Sequence, residues 1–299
     1  MTVDATVLIC SRNRPALLDV AIRSVLASDP APAEVVVIDQ SATPHATLSA
    51  GPPPLVRYMH RPGSGLARAR NIGFRAATRP VVAIVDDDMT VDGAWLVSLV
   101  DAIDSPTTVT TGRVLAAALE PGQVALPEAA LITLDEPATY RGRQDRDVVP
   151  GASVALPRDL VLRIGGYDER LGAGTAFGAA EDNDLGLRLL AAGAVVRHVP
   201  DAVTWHRGRD SDLDDRRIRT AYGTGKGALL AKHVRDVHLV RRLVRDAAAR
   251  ALRLARHGWS DADLRSRETT YLRGFAIGFV RWWVGGWWRR PAGQADAAR

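Results

Sequence analysis

A sequence of 299 residues is long enough for one large α/β domain, or for one domain with an extension. With 46% hydrophobic and 24% charged residues its composition is that of an ordinary soluble protein; the single cysteine, Cys10, excludes an intramolecular disulfide framework and suits a reducing, cytoplasmic setting. The net charge of +5 conceals two opposed parts: residues 1–206 hold 18 basic and 24 acidic side chains, and residues 207–299 hold 21 and 10.

An acidic body with a basic tail suits anionic partners such as lipid head groups or nucleic acid. Residues 1–4 lack a basic n-region and Ala5–Cys10 is too short for an h-region, so no secretory leader is expected. Thr6–Ile9 reads as a first strand and Pro15–Ala27 as a helix opened by its proline. Glu34–Ile38 is a second apolar strand ending at Asp39. A Pro-rich link, Pro52–Pro54, leads to a short strand at Leu55–Met59, and a Gly-containing turn opens a helix over Leu66–Ala77. The β-branched run Val81–Val85 has the pattern of a strand buried on both faces, with a helix expected over Asp92–Ile103. This alternation predicts a parallel, doubly wound half.

Thr107–Leu115 reads as another strand, and the Pro-, Gly- and charge-rich stretch Glu120–Val148 as loops over the open end of the sheet. A strand-like stretch after Gly151 is followed by a helix at Pro157–Ile164 and a flexible segment, Gly172–Gly178. A further helix runs from Glu181 to about Gly193. Val195–Val199 and Ala202–Trp205 read as two strands, and from Asp210 the periodicity is helical nearly to the end. No internal repeat is present.

Two acidic clusters and three smaller features carry the chemistry. Asp86, Asp87 and Asp88 directly follow the buried strand, so they emerge at its carboxyl end, where open α/β sheets bind ligands. Three adjacent acids repel one another unless a cation joins them, and hard oxygen ligands suit Mg²⁺ or Mn²⁺ shared with phosphate oxygens; a solvated acidic turn is the alternative. Glu181, Asp182 and Asp184 stand on the first turn of a helix, where the macrodipole favours acids whether or not they function. Their glycine-rich approach makes the helix end the border of a pocket, and a carboxylate there suits a general base toward a sugar hydroxyl. Asp39, at the tip of the second strand, suits hydrogen bonds to a base or ribose, or else forms a turn with Ser41. Arg68 and Arg70 follow Gly63-Ser64-Gly65 and reach either phosphate oxygens or solvent. His206 completes a metal shell, contacts a diphosphate, or is structural.

In this order the pieces resemble a family-2 glycosyltransferase of the GT-A fold. Thr6 to Pro15 is similar to that family's opening strand and turn. Val36-Val37-Ile38-Asp39-Gln40-Ser41 is similar to its second strand, Gly65 to Gly73 to its Arg-Asn-x-Gly helix, and Val85 to Asp88 to its Asp-x-Asp. Gly165 to Glu169 with Glu181 to Leu189 resembles its acceptor-side block. The resemblance covers about residues 4–207. It departs at Cys10, where proline is usual, and at Arg12, where an aromatic often stands, which weakens any assignment of a uridine nucleotide.

The resemblance implies a mixed, mostly parallel sheet flanked by helices, a catalytic domain over 1–207 (donor half about 1–115, acceptor half about 116–207) and a basic, Trp-rich helical extension over 208–299. It implies sugar transfer from a nucleotide-diphosphate donor with inversion. Asp88, assisted by Asp86, would hold Mg²⁺ or Mn²⁺, with His206 as a further ligand. Asp87 would contact the ribose, Ser11 and Asp39 the donor, Arg70 would steady Asp39 or the nucleotide, and Asp182 would act as the base. The rivals are a catalytically silent sugar-nucleotide-binding protein and a metal-dependent nucleotidyltransferase; the acidic body and lack of a reading motif argue against a nucleic-acid partner.

Between Tyr271 and Arg290 aromatic residues alternate with arginines: Phe275, Phe279, Trp282, Trp283, Trp287 and Trp288 beside Arg273, Arg281, Arg289 and Arg290. As a helix, Leu272–Trp288 would extend only about 25 Å, too short to cross a bilayer. Tryptophan beside arginine suits peripheral contact at the inner face of the plasma membrane, and with it a lipid-linked or cell-envelope glycan acceptor. The other reading packs these aromatics against the catalytic domain or a second copy in a homodimer.

Overall fold

The computed structural model describes residues 2–126, 128–208, 212–257 and 260–287. It shows the expected α/β architecture. Strand β1 (Thr2–Ser11) leads through α1 (Pro15–Leu26) to β2 (Ala31–Asp39), then α2 (Ala46–Ala50), β3 (Val56–His60), α3 (Leu66–Ala76) and β4 (Val81–Asp86). The four strands are parallel, in the order β3-β2-β1-β4. Next come β5 (Met89–Val91), α4 (Trp95–Asp101), β6 (Thr108–Ala116), β7 (Ala138–Arg141) and β8 (Val154–Pro157). They are followed by α5 (Arg158–Arg163), α6 (Glu181–Ala191) and β9 (Val195–His206). The sheet continues from β4 as β8-β6-β9-β5, with β7 also on β9. β8 is antiparallel to both its neighbours, which makes the sheet mixed.

Because strand side chains alternate between faces, each central strand feeds two cores. Val7, Ile9, Val35 and Val85 meet Leu18, Ile22, Trp95 and Leu96 on the α1/α4 face. Leu8, Val36 and Ile84 meet Phe74, Leu160, Leu185 and Leu189 on the α3/α5/α6 face. Burial on both sides explains the unbroken apolar runs in β1, β2 and β4.

Several expectations need correction. The helix after the acids starts at Trp95, not Asp92, because β5 intervenes to pair with β9. The two strands expected over 195–205 are one continuous strand. Its pairing with β6 jumps from Thr111↔His198 to Arg113↔Val203, and that irregularity accommodates Pro200, which has no N–H for a ladder. The region expected as loops over 120–148 contains β7, an antiparallel partner of β9.

The chain ends in α7 (Asp212–Lys232), α8 (Val237–His257) and α9 (Ala262–Val284). Gly223 and Gly227 of α7 lie against Gly274 and Gly278 of α9 so closely that a Cβ on Gly227 would collide with the Phe275 carbonyl. The aromatic tail is divided. Trp282 is buried with Leu171, Phe177, Ala228 and Ala231, Phe279 and Trp287 join it, and the Arg170 guanidinium lies 4.7 Å from its ring centroid. Ile277, Val280 and Val284 are 51%, 56% and 82% exposed. Trp288, Arg289 and Arg290, and the helix start expected at Asp210, lie outside the described residues. No described helix is long and apolar enough to cross a membrane.

Candidate functional site

The register of three adjacent parallel strands brings the predicted residues into one row. Ser11 stands opposite Asp39, and Cys10 opposite Asp86, at the carboxyl ends of β1, β2 and β4. Beyond that edge opens a cleft of about 300 Å³ lined by Ser11, Arg14, Gln40, Asp86, Asp88 and His206, with Asp87 beside them. Its far wall is the glycine-rich loop: Ala173 and Gly174 line the cleft, and the Ala173 carbonyl accepts from the Leu66 N–H (2.9 Å). Cys10 forms part of the floor, and burial pushes its thiol up to about 12, leaving it inert at neutral pH.

Within the acidic turn each carboxylate has a different surrounding. Asp86 ends β4, and burial raises its pKa despite Arg70 beside it. Asp87 is pushed up to about 6, chiefly by burial, although the Ser11 hydroxyl donates to it at 2.6 Å. Asp88 is placed by β5 and β9, which pair Met89 with His206 and let the Arg207 N–H donate to the Asp88 carbonyl (3.0 Å). The His206 Nε2 thereby stands 3.9 Å from Asp88 Oδ1. A cation already sits on this turn: Arg14 Nη1 donates to Asp87 Oδ1 at 3.2 Å and to Asp88 Oδ2 at 2.9 Å. Among the described residues no group of three His, Cys, Asp or Glu side chains converges on one point. The hard oxygens of Asp88, the nearby imidazole and a guanidinium standing in for a cation fit a divalent ion that brings phosphate and water oxygens for the rest of its shell.

Asp39 does not line the cleft. It is 2% exposed, and its Oδ1 accepts from the Ser41 N–H while its Oδ2 accepts from the Tyr58 hydroxyl (2.6 Å). Burial alone would raise its pKa, but the Ser41 and Tyr58 donors outweigh it and the carboxyl titrates below its ordinary range. In this arrangement Asp39 braces the turn that carries Gln40.

Arg70, expected to steady Asp39 or the nucleotide, has other partners. Only 1% of its side chain is exposed. Its Nη2 donates to the Gly151 carbonyl (2.7 Å) and to Asp86 Oδ1 (3.3 Å), its Nη1 to Glu181 Oε1 (3.4 Å), and it lies over the Tyr167 ring. The neighbouring Asn71 is structural: its amide donates to the Tyr167 carbonyl and accepts from the Tyr167 N–H. The Arg-Asn pair thus ties α3 to the approach of α6.

At the start of α6, Ala180 has a φ of 79°, costly for a residue with a Cβ and a mark of a constrained turn. Glu181 is buried against Arg70. Burial first, then Asp182, pushes its pKa up to about 8, with the guanidinium only partly offsetting them. Asp182 is half-buried, and its Oδ2 and Arg70 Nη2 both lie beside Gly151, where a Cβ would press on the Asp182 carboxylate. The acidic turn and the helix carboxylates therefore flank one buried guanidinium, on the same side of the molecule.

Asp184 turns away from the cleft. It is fully buried and accepts from Arg188 Nε (2.8 Å), His233 Nε2 (2.7 Å) and Lys232 (2.5 Å); the lysine also reaches Asp168 (2.6 Å). Burial would raise its pKa, yet the His233 hydrogen bond and the charges of Lys232 and Arg188 hold it far below the carboxylate range. Arg14, Lys232 and His233 were assigned no role from sequence. The Asn-Arg-Pro turn straight after β1 was the available signal for Arg14, whereas nothing local links Lys232 to α6.

The sequence signature of glycosyl transferase family 2 matches residues 6–157. A pre-mycofactocin glycosyltransferase of Mycobacterium tuberculosis is 32% identical over 234 residues, covering 76% of this chain and 47% of that protein. The chain thus spans about half the length of that relative. Among solved structures, a mannosyltransferase from Pyrobaculum calidifontis in complex with GDP-Man and Mn²⁺ superposes with a TM-score of 0.61 at 19% identity, over 94% of this chain and 88% of that one. S. aureus TarS in complex with UDP-GlcNAc gives 0.55 at 13% identity, over 95% and 92%.

Proposed function

Because the chain belongs to glycosyl transferase family 2, we propose that it moves a sugar from a nucleotide-diphosphate donor to an acceptor hydroxyl with inversion at the anomeric carbon. The observation that supports this most is the meeting of the acidic turn and the first turn of α6 on either side of Arg70, beside an open cleft. The catalytic part is assigned to residues 1–207, with 208–299 as an extension.

The donor diphosphate lies in the cleft with its ribose near Asp87. Ser11 contributes through its bond to that carboxylate. Asp88 and Asp86, with His206, would hold Mg²⁺ or Mn²⁺, which when bound offsets charge on the departing diphosphate. Asp182 accepts the acceptor hydroxyl's proton as its oxygen bonds to the anomeric carbon and the bond from that carbon to the phosphate oxygen breaks. Glu181 is the less suitable base, since it is buried and turned to Arg70. A lipid-linked or cell-envelope glycan is the favoured acceptor, because α9 presents Ile277, Val280 and Val284 to solvent beside Arg273 and Arg281, a combination suited to a lipid surface.

Incubation with a panel of sugar nucleotides should release a nucleoside diphosphate, and EDTA should stop it. Asp182→Asn should lower kcat by about 10²- to 10⁴-fold while leaving donor affinity unchanged. Release of pyrophosphate would favour a nucleotidyltransferase, and donor binding without any release a silent relative; either result rejects the proposal.

A further inference from the structure

Arg14 is the feature of the cleft that the reaction outlined above leaves unused. It sits in the turn between β1 and α1. The backbone there is anchored: the Asn13 N–H donates to the Ser41 hydroxyl (2.7 Å) and the Ala42 N–H to the Asn13 side-chain oxygen (3.3 Å). The Arg14 side chain itself is 52% exposed, lines the cleft, and bonds through a single nitrogen to one oxygen of Asp87 and one of Asp88. Asp87 has its other oxygen on the Ser11 hydroxyl, and Asp88 has its other oxygen facing His206. The guanidinium thus occupies carboxylate positions that a divalent cation would need, and a long, half-exposed side chain can leave them without moving its backbone.

We infer that Arg14 is an exchangeable counter-cation: it rests on Asp87 and Asp88 while the cleft is empty, and transfers to the donor diphosphate when a metal takes its place. This rests on the donor reading proposed above. The physical reason is charge balance. The empty turn holds three acids and needs a cation, whereas the loaded site gains a divalent ion together with a diphosphate, and a planar guanidinium matches phosphate oxygens as well as it matches carboxylates. Metal binding alone must displace Arg14 into water, but in the presence of a diphosphate the displaced group gains a new partner. Metal and diphosphate should therefore bind cooperatively, with Arg14 carrying part of the coupling, and by linkage each should raise the other's affinity by the same factor.

The test is calorimetric and needs no turnover. MnCl₂ alone, and then GDP, UDP, ADP, CDP and dTDP with and without MnCl₂, are titrated into the full chain and into Arg14→Gln. The variant should bind Mn²⁺ alone about tenfold more tightly, since its competitor is gone, and the preferred nucleoside diphosphate with Mn²⁺ about tenfold more weakly, each equivalent to about 1.4 kcal/mol. Arg14→Lys should lie between the two. An unchanged Mn²⁺ affinity overturns the inference, as does a variant weakened toward both ligands, which would make Arg14 a fixed brace of the turn. Wild-type protein that binds none of the five diphosphates with Mn²⁺ overturns the donor reading and this inference with it, whereas wild-type binding that Arg14→Gln leaves unaltered overturns this inference alone.

Discussion

Arg70 has more acids around it than one positive charge can balance: Asp86 and Glu181 are bonded to it and Asp182 lies within its field. The imbalance is what burial resolves, by leaving the enclosed Glu181 protonated well above the usual carboxylate range. Asp184, two residues beyond Asp182, is the opposite case, with a lysine, an arginine and a histidine on one buried carboxylate. Breaking such a set leaves buried charge unpaired, so Asp184→Asn should cost about 3–5 kcal/mol at pH 7. A carboxyl whose folded pKa is depressed contributes stability above its unfolded value of about 4, and that contribution fades as pH falls below it. Denaturant midpoints of wild type and Asp184→Asn should therefore be far apart at pH 7, remain well separated near pH 3.5, and draw together only as pH falls further toward the depressed folded value; a gap that stays constant into strong acid would show that shape, not charge, sets the cost. Residue types were legible here where they follow a strand or open a helix, as Asp86 and Asp182 do. Partners such as Lys232 were not, because that pairing spans 48 residues and leaves no local pattern.

At the scale of elements, periodicity located β1, β2, β4 and the helices α1 and α3 because each is buried in a repeating way, but not the short α2. It missed β5 and β7, whose few residues become strands only by pairing with β9. The same distinction governs α7 and α9. Their glycines look like weak points in a helix, since alanine is ordinarily preferred there by about 1 kcal/mol. In the folded protein they allow the two backbones to touch, so at Gly227 the sign reverses. Gly227→Ala should destabilise by about 1–3 kcal/mol as the helices are forced apart, read as a melting temperature lower by several degrees. A rise would mean that the helices do not pack as described.

For the whole molecule, the family was legible because its short motifs recur in a fixed order, and the path of the basic tail was not. Composition marked the tail as amphipathic, but only tertiary packing divides it into Trp282, Phe279 and Trp287 facing the body and Ile277, Val280 and Val284 facing out. Deleting α9 would remove both sets at once, so point changes are the sharper probe. Replacing those three outward residues by serine should reduce co-sedimentation with anionic liposomes at least severalfold while the melting temperature holds; undiminished partitioning would assign the surface to another partner.

Only two of the chain's 39 lysine and arginine residues are lysines, Lys226 and Lys232. Both sit on α7 and are largely shielded in ion pairs to the α/β body, Lys226 with Asp147 and Lys232 with Asp168 and Asp184. The protein therefore has no freely exposed side-chain amine. Acylating reagents, which spread labels over most proteins, would here, when read at the lysine side chains, gauge a single event: the release of α7 from its seat.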